Sequence, residues 1–571
     1  MGIQETYQYW LKNVGGDQLA ELDDLAKRPD ELADAFRKEL EFGTAGLRGI
    51  LGLGPNRMNE YTVGKATQGL ADYLNATFSE PSVAIARDSR LRGQEFVQVC
   101  ASVLAANGVK AYLYPRIEPT PALSFAVRYL GCSAGVNMTA SHNPSAYNGY
   151  KAYGPDGCQI TTQAAKAIQE AIDRTDPFTQ VKTVDFDQAV EAGMIQWIGE
   201  DVIGAFVDAV AAVDLEPAQS RKTDLSLVYT PLNGTGLECV SAILERIGIP
   251  DLDVVPEQSQ PDGTFPTCPY PNPEIREALE LGLRRCEETK PYLLLATDPD
   301  ADRVGIAARH NGEYQLVSGN EMGALLLDYL CARKRELGLS LDDSVVVTTI
   351  VSSAMIDAMA QDYGFQLRRT LTGFKYIGEQ IGLLEAAGQS QRFLFGFEES
   401  YGYLAGTHVR DKDAVVASML IVQMARWNQA RGLDLIQAVD ELYQRYGYYR
   451  NKTLSLSYPG AAGAQDMDRI MGMLHGNPPS QLAGLAVERV VDYAQGASMP
   501  FVGPLRPGDG PQQLPAADVV ELHLEGGNKV IVRPSGTEPK IKAYLFAKKP
   551  QADQADALIA AFEDAVRRLL A

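Results

Sequence analysis

Ser141 stands in Thr139-Ala140-Ser141-His142-Asn143-Pro144, directly after the apolar, β-like run Ala134 to Met138. Catalytic side chains of open α/β sheets lie at such carboxyl ends of strands. A hydroxyl alone is a weak nucleophile, and an adjacent imidazole or ammonium can handle its proton or neutralise a phosphate bound to it. His142 is adjacent, and Asn148-Gly149-Tyr150-Lys151 returns a lysine to the same loop region. A plain turn would also use Ser, Asn and Pro, but it has no need of that lysine.

A second segment, Asp298-Pro299-Asp300-Ala301-Asp302-Arg303, follows the apolar run Tyr292 to Ala296. Three carboxylates at i, i+2 and i+4 repel one another unless a cation compensates them, and oxygen-only ligands select a hard ion such as Mg²⁺. A calcium loop of the EF-hand kind is excluded, because Arg303 occupies the place of its turn glycine and Arg309 that of its bidentate glutamate. Two other readings stay open. Asp300-x-Asp302-x-Val304 fits the aspartyl-phosphate motif of haloacid-dehalogenase-like phosphatases, in which Asp300 is the nucleophile and Ser141 idle. The segment also fits an acidic surface loop that holds no ion.

Three further polar segments follow. Gly396-Phe397-Glu398-Glu399-Ser400-Tyr401-Gly402 offers vicinal carboxylates and a hydroxyl between glycines, a set suited to sugar hydroxyls. In Arg410-Asp411-Lys412-Asp413 the flanking carboxylates keep a lysine charged and in place. Arg533-Pro534-Ser535-Gly536-Thr537-Glu538-Pro539-Lys540 lies between two strand-like runs, and its guanidinium, hydroxyls and glycine amides make a phosphate cradle. No Walker A or dinucleotide glycine motif accompanies them, so a nucleotide cofactor is not expected. A phosphate-carrying serine, a hard-cation loop and several oxyanion loops together point to phosphoryl transfer.

Strand-like and helix-like segments alternate as α/β layers require. The spacing predicts a helix over about Asp30 to Leu40, a strand over Ser82 to Ala86 and a helix with Phe96, Val97, Cys100, Val103 and Leu104 on one face. A strand follows over Ala111 to Tyr114, and Ala134 to Met138 leads into the serine loop. The rhythm restarts at Leu225 to Tyr229, at Tyr292 to Ala296 and at Ser344 to Thr349, with a helix over Asn320 to Leu330. From about Tyr446 the character becomes α+β, with strands at Val519 to Leu524 and Lys529 to Val532. An amphipathic helix closes the chain through Leu558, Ile559, Phe562, Val566 and Leu569. The expected architecture is three doubly wound α/β domains (residues 1–210, 211–319 and 320–440) and a C-terminal α+β domain (441–571).

The chain has 571 residues, Lys plus Arg 52 and Asp plus Glu 73, a formal net charge of −21. Such a length implies several domains, and such a charge argues against nucleic-acid or anionic-membrane partners. The 7 cysteines are scattered, none in a C-x-x-C pair. Neither a zinc knuckle nor a disulfide framework is indicated, and several read as small buried hydrophobes. No apolar run approaches membrane-spanning length and the N-terminus shows no leader pattern, so a cytoplasmic protein is expected.

Taken in order, Phe42-Gly43-Thr44-Ala45-Gly46-Leu47-Arg48-Gly49, the serine loop, Asp298 to Arg303, Thr372-Gly373-Phe374-Lys375, Glu398-Glu399-Ser400 and Arg533 to Thr537 resemble the α-D-phosphohexomutases over nearly the whole chain. Within that superfamily the set looks most like the phosphoglucomutase branch with its phosphopentomutase-like members. The resemblance implies four domains around a central cleft. It makes Ser141 a phosphoserine and Asp298, Asp300 and Asp302 Mg²⁺ ligands together with the serine phosphate. Thr372, Gly373, Glu398 and Ser400 would face the sugar, and Arg533, Ser535, Gly536 and Thr537 the phosphate that is not transferred. Arg48, His142, Lys151, Arg303 and Lys412 would stabilise charge and handle protons. The implied reaction interconverts glucose 1-phosphate and glucose 6-phosphate through glucose 1,6-bisphosphate, in a monomer or weak homodimer. The Glu-Glu-Ser core favours glucose over mannose by analogy, while Phe397 stands where many glucose-specific members show glycine, and Phe397 and Tyr401 leave ribose phosphates open. A sugar-phosphate sensor without turnover is the non-enzymatic alternative.

Overall fold

The computed structural model describes residues 2–571 apart from 44–45, 218–219, 222–224, 507–508 and 536–539. The chain divides into two compact units, one of Met1–Val317, Gly378–Ser390 and Tyr401–Arg426, the other of Ser318–Ile377, Gln391–Ser400 and Trp427–Ala571.

The first unit holds two sheets. One runs in the order Leu47–Ile50, Tyr147–Tyr153, Ala134–Met138, Ser82–Arg87, Lys110–Leu113, Ile195–Trp197. Ser82–Arg87 pairs in parallel with Ala134–Met138 and Lys110–Leu113, while Tyr147–Tyr153 returns antiparallel to Ala134–Met138. All five residues of Ala134–Met138 are buried, the continuous burial of a strand covered on both faces. Helix Gly93–Ala106 buries the stripe read from the sequence, including Phe96, Val97, Cys100, Val103 and Leu104. All 7 cysteines are free and buried.

The second sheet has the order Glu313–Val317, Val304–His310, Leu293–Thr297, Leu227–Thr230, Asp253–Val254. Val304–His310 lies antiparallel to Leu293–Thr297, with Val304 opposite Thr297. The six residues between them therefore form a single tight turn, and that turn is the aspartate loop. Leu293–Thr297 is buried throughout, so the turn emerges from a fixed base.

Three helices open the chain, Ile3–Asn13, Asp17–Leu25 and Pro29–Phe36. The third ends at Phe36 rather than Leu40: the Leu40 amide donates to the Pro55 carbonyl at 2.9 Å instead of continuing the helical ladder. Trp10 and Tyr7 pack edge-on against Phe36 at 5.9 and 5.5 Å between ring centres.

In the second unit Val345–Thr349 pairs in parallel with Gln366–Thr370 and Phe393–Glu398. Helix Gly319–Glu336 starts with a capping box in which Ser318 Oγ accepts from the Glu321 amide. The last block is a six-stranded antiparallel sheet in the order Tyr448–Ser457, Lys540–Lys549, Asn528–Pro534, Val520–Leu524, Leu485–Asp492, Gln481–Leu482. Helix Ala552–Leu569 buries Ala555, Phe562 and Val566, and Ile350, Val351 and Leu371 share a core with Tyr493, Ile531 and Tyr544. The fold is thus three α/β blocks followed by an α+β block, the first two sheets being mixed rather than wholly parallel because antiparallel strands close their edges. Among the described residues no helix is long and apolar enough to cross a membrane.

Candidate active site

Ser141 lies where strand Ala134–Met138 ends, and its backbone takes φ +52°. A left-handed L-residue costs about 1–2 kcal/mol, so surrounding bonds must hold it. The Ser141 amide donates to Thr139 Oγ1 at 2.8 Å, and Ser141 Oγ donates to Asp298 Oδ2 at 2.8 Å. His142 Nδ1 is 3.1 Å from the same Oγ. Burial first, then Arg303 and Arg48, hold the His142 imidazole well below its usual range, which keeps it neutral near pH 7. Arg48 donates to Asn143 Oδ1 at 3.3 Å.

Asp298, Asp300 and Asp302 each present a carboxylate oxygen within 4.8 Å of the others, and all three are buried. Lys151 Nζ donates to Asp300 Oδ2 at 2.7 Å and to Asp302 Oδ2 at 3.2 Å. Lys412 Nζ lies 3.1 Å from Asp302 Oδ2 and 3.0 Å from Asp411 Oδ1. Burial and the neighbouring Asp300 and Asp302 charges push the Asp298 carboxyl well up. Burial acts on Asp300 in the same sense, but the Lys151 ammonium and the Thr120 hydroxyl outweigh it and hold that carboxyl low. Asp300 Oδ1 and Asp302 Oδ1 are buried and accept no hydrogen bond. Buried acceptors are rarely left so, since each costs about 1–3 kcal/mol. Two such oxygens among three hard ligands fit a divalent cation with oxygen preference.

The turn is braced by residues that sequence reasoning passed over. Thr120 Oγ1 donates to Asp300 Oδ2 at 2.8 Å, and Glu274 Oε1 accepts from Arg303 Nη1 at 2.6 Å. Asp88 accepts from Thr139 Oγ1 at 2.6 Å, and burial, opposed by Arg90 and Thr139, pushes its carboxyl up to about 6. Asp88-Ser89-Arg90 follows the strand paired with Ala134–Met138, so the strand-end rule applied to Ser141 would have found it too.

The second unit groups another set. Arg533 Nη1 donates to Thr372 Oγ1, and Gly373, at φ +119°, donates its amide to Glu398 Oε1 at 2.7 Å. Thr349 Oγ1 lies 3.5 Å from Glu399 Oε2. Ser400 follows strand Phe393–Glu398 and is half-buried. The Ser535 amide donates to the Lys540 carbonyl at 2.8 Å, closing the base of its hairpin. Gly536 and Thr537 lie outside the described residues.

Phe397, which departs from the pattern of glucose-specific members, keeps its side chain wholly buried. The ring stacks on Phe395 at 5.7 Å and lies against Gly323 in helix Gly319–Glu336. A Cβ at Gly323 would fall on that ring, well inside van der Waals distance. Gly323→Ala is therefore expected to destabilise the protein by about 1–3 kcal/mol, read as a lower urea midpoint at unchanged slope. An unchanged midpoint would show that the ring has room to retreat.

Family models described as phosphoglucomutase/phosphomannomutase alpha/beta/alpha domains I, II and III match residues 39–178, 204–312 and 318–446. A phosphoglucomutase of Staphylococcus haemolyticus is 36% identical over 514 residues, covering 89% of this chain and 90% of that protein. A probable phosphomannomutase of Haemophilus influenzae is 35% identical, covering 90% and 98%. Among solved structures, a putative phosphomannomutase from Thermus thermophilus superposes with a TM-score of 0.68 at 23% identity, over 93% of this chain and 99% of that one, and shares the fold.

Proposed function

This chain belongs to the phosphoglucomutase/phosphomannomutase family, and on that premise we propose that it interconverts glucose 1-phosphate and glucose 6-phosphate through a phosphorylated Ser141. The observation that carries the proposal is Ser141 Oγ at 2.8 Å from Asp298, within a buried turn that also engages two lysines. The same observation weighs against Asp300 as the nucleophile, since Ser141 would then have no reason to enter that cluster. A binder without turnover would have no use for it either.

Phosphoserine 141 gives its phosphoryl group to the free hydroxyl of the sugar phosphate: the phosphorus–Oγ bond breaks, a bond to the sugar oxygen forms, and the proton lost by that hydroxyl is balanced by one gained at Ser141 Oγ. The product is glucose 1,6-bisphosphate, which returns its other phosphoryl group to Ser141 after reorienting. Loose phosphoryl-transfer transition states need positioning and charge stabilisation more than covalent help. Those tasks fall to Arg48, His142, Lys151, Arg303 and Lys412. Asp298, Asp300 and Asp302, with the serine phosphate, would hold Mg²⁺, which when bound offsets the phosphate charge. Thr372, Gly373, Glu398 and Ser400 are assigned to the sugar, and Arg533, Ser535, Gly536 and Thr537 to the resting phosphate. The reading includes the four-domain partition at residues 210, 319 and 440, and a cytoplasmic monomer or weak homodimer acting on small sugar phosphates.

The test is a coupled assay primed with glucose 1,6-bisphosphate, comparing glucose 1-phosphate with mannose and ribose 1-phosphates. The expected kcat/KM for glucose 1-phosphate exceeds the others by on the order of tenfold or more, because a site built to bond particular hydroxyls leaves polar groups unpaired with the wrong sugar. Faster turnover of another sugar would reassign the substrate. Phosphate release without isomerisation would replace the mutase reading by a phosphatase.

A further inference from the structure

Four backbone carbonyls of the loop that carries Ser141 converge on one guanidinium. Arg90 is 2% exposed, and its Nη1 donates to the carbonyls of Pro144 and Tyr147 at 2.9 and 2.8 Å. Its Nη2 donates to the Ser141 carbonyl at 2.6 Å and to that of Asn143. Nε faces Asp88 Oδ2 at 3.3 Å, and the Phe265 ring closes one face of the guanidinium at 5.1 Å. All four carbonyls belong to residues 141–147.

The same carboxylate supports the serine from its other side. Asp88 Oδ2 accepts from Thr139 Oγ1, and Thr139 Oγ1 accepts from the Ser141 amide. Both backbone groups of Ser141 thus trace to Asp88, one through Arg90 and one through Thr139. A residue at φ +52° needs such over-determination. Arg90 cannot be exchanged for a lysine here, because one ammonium with three donors cannot match a planar fork spread over four acceptors.

We propose that Arg90, anchored by Asp88 and seconded by Thr139, is a positioning residue that holds Ser141 in the conformation from which Oγ exchanges phosphoryl groups. The inference rests on the mutase reading above. It assigns to Asp88, Arg90 and Thr139 no contact with substrate, so the effect should appear in the chemical step and not in binding.

The experiment uses the full chain and follows two quantities: steady-state kcat and KM for glucose 1-phosphate, and the rate at which glucose 1,6-bisphosphate phosphorylates Ser141, read by intact mass. Arg90→Lys is expected to lower kcat roughly 100-fold, the scale of a misplaced reacting group, with KM almost unchanged and phosphorylation of Ser141 slowed in parallel. Millimolar guanidinium should restore part of the activity of Arg90→Gly, whereas urea at the same concentration should not. Thr139→Val should lose about tenfold in kcat through its missing hydroxyl, and Thr139→Ser should stay near wild type. A folded Arg90→Lys with wild-type kcat, or a loss that appears in KM alone, overturns the proposal. If the Arg90 variants do not fold, the threonine pair decides, and equal activities of Thr139→Val and Thr139→Ser overturn it. A wild-type chain that turns over normally beside indifferent variants sinks only this inference. A wild-type chain that neither phosphorylates Ser141 nor isomerises glucose 1-phosphate sinks the mutase reading with it.

Discussion

Ser141→Ala is expected to lower mutase turnover by on the order of 10⁴-fold or more, the scale at which loss of a covalent nucleophile is felt. On the proposed mechanism the substitution removes the oxygen that carries the phosphoryl group between the two half-reactions, and among the described residues no other hydroxyl donates to the Asp298 carboxylate. The assay is the coupled conversion of glucose 1-phosphate with trace glucose 1,6-bisphosphate present. A companion variant separates chemistry from folding. Alanine keeps the φ +52° strain of this position, whereas glycine adopts that region freely. Ser141→Gly should therefore be more stable than Ser141→Ala by up to about 1 kcal/mol while equally inactive. Near-normal turnover by the alanine variant would remove Ser141 from the mechanism.

The second large effect concerns the aspartate turn. Asp298→Asn is expected to cost about 10³-fold in kcat, since charge stabilisation at a buried centre is commonly worth that much, and yet to stabilise the metal-free protein. Burial and two neighbouring carboxylates already make ionised Asp298 costly. An amide of the same shape keeps an oxygen for the Asp302 and Arg303 amides, which Asp298 Oδ1 accepts at 3.1 and 3.0 Å. Without divalent cations the variant should melt above wild type. Excess Mg²⁺ should raise the wild-type melting temperature, because it binds the folded state, and leave that of the variant almost in place. If chelation changes neither wild-type activity nor its melting temperature, the carboxylates do not hold a metal.

Much of this was legible in the sequence for local reasons. Ala134–Met138 and Leu293–Thr297 are mostly apolar strands, broken only by Asn137 and Thr297, and each delivers a polar loop at its carboxyl end. Helix Gly93–Ala106 shows its buried stripe at helical spacing. What escaped depends on pairing between distant segments. Thr120 and Asp300 are 180 residues apart, and Arg303 reaches back over helix Arg276–Thr289 to Glu274, a contact that no short window displays. The length of helix Pro29–Phe36 was missed because the competitor for the Leu40 amide is the carbonyl of Pro55, in a separate segment. Phe397 stands at the border between the apolar Phe393-Leu394-Phe395 and the polar Glu398-Glu399-Ser400, so its sequence context did not settle its side, and the surface it meets is a glycine on another helix.

That glycine has an implication for anyone wishing to retune sugar preference by redesign. Positions 323 and 397 form a matched seat and plug, so neither can be varied alone without a void or a clash. Shrinking the plug would slacken the strand that ends at Glu398, and with it the carboxylate that Gly373 grips. Altered selectivity obtained at 397 would then report a loosened backbone, not a new contact with the sugar. Libraries that couple the two sites, refilling from the helix what is removed from the strand, are the ones that separate these outcomes.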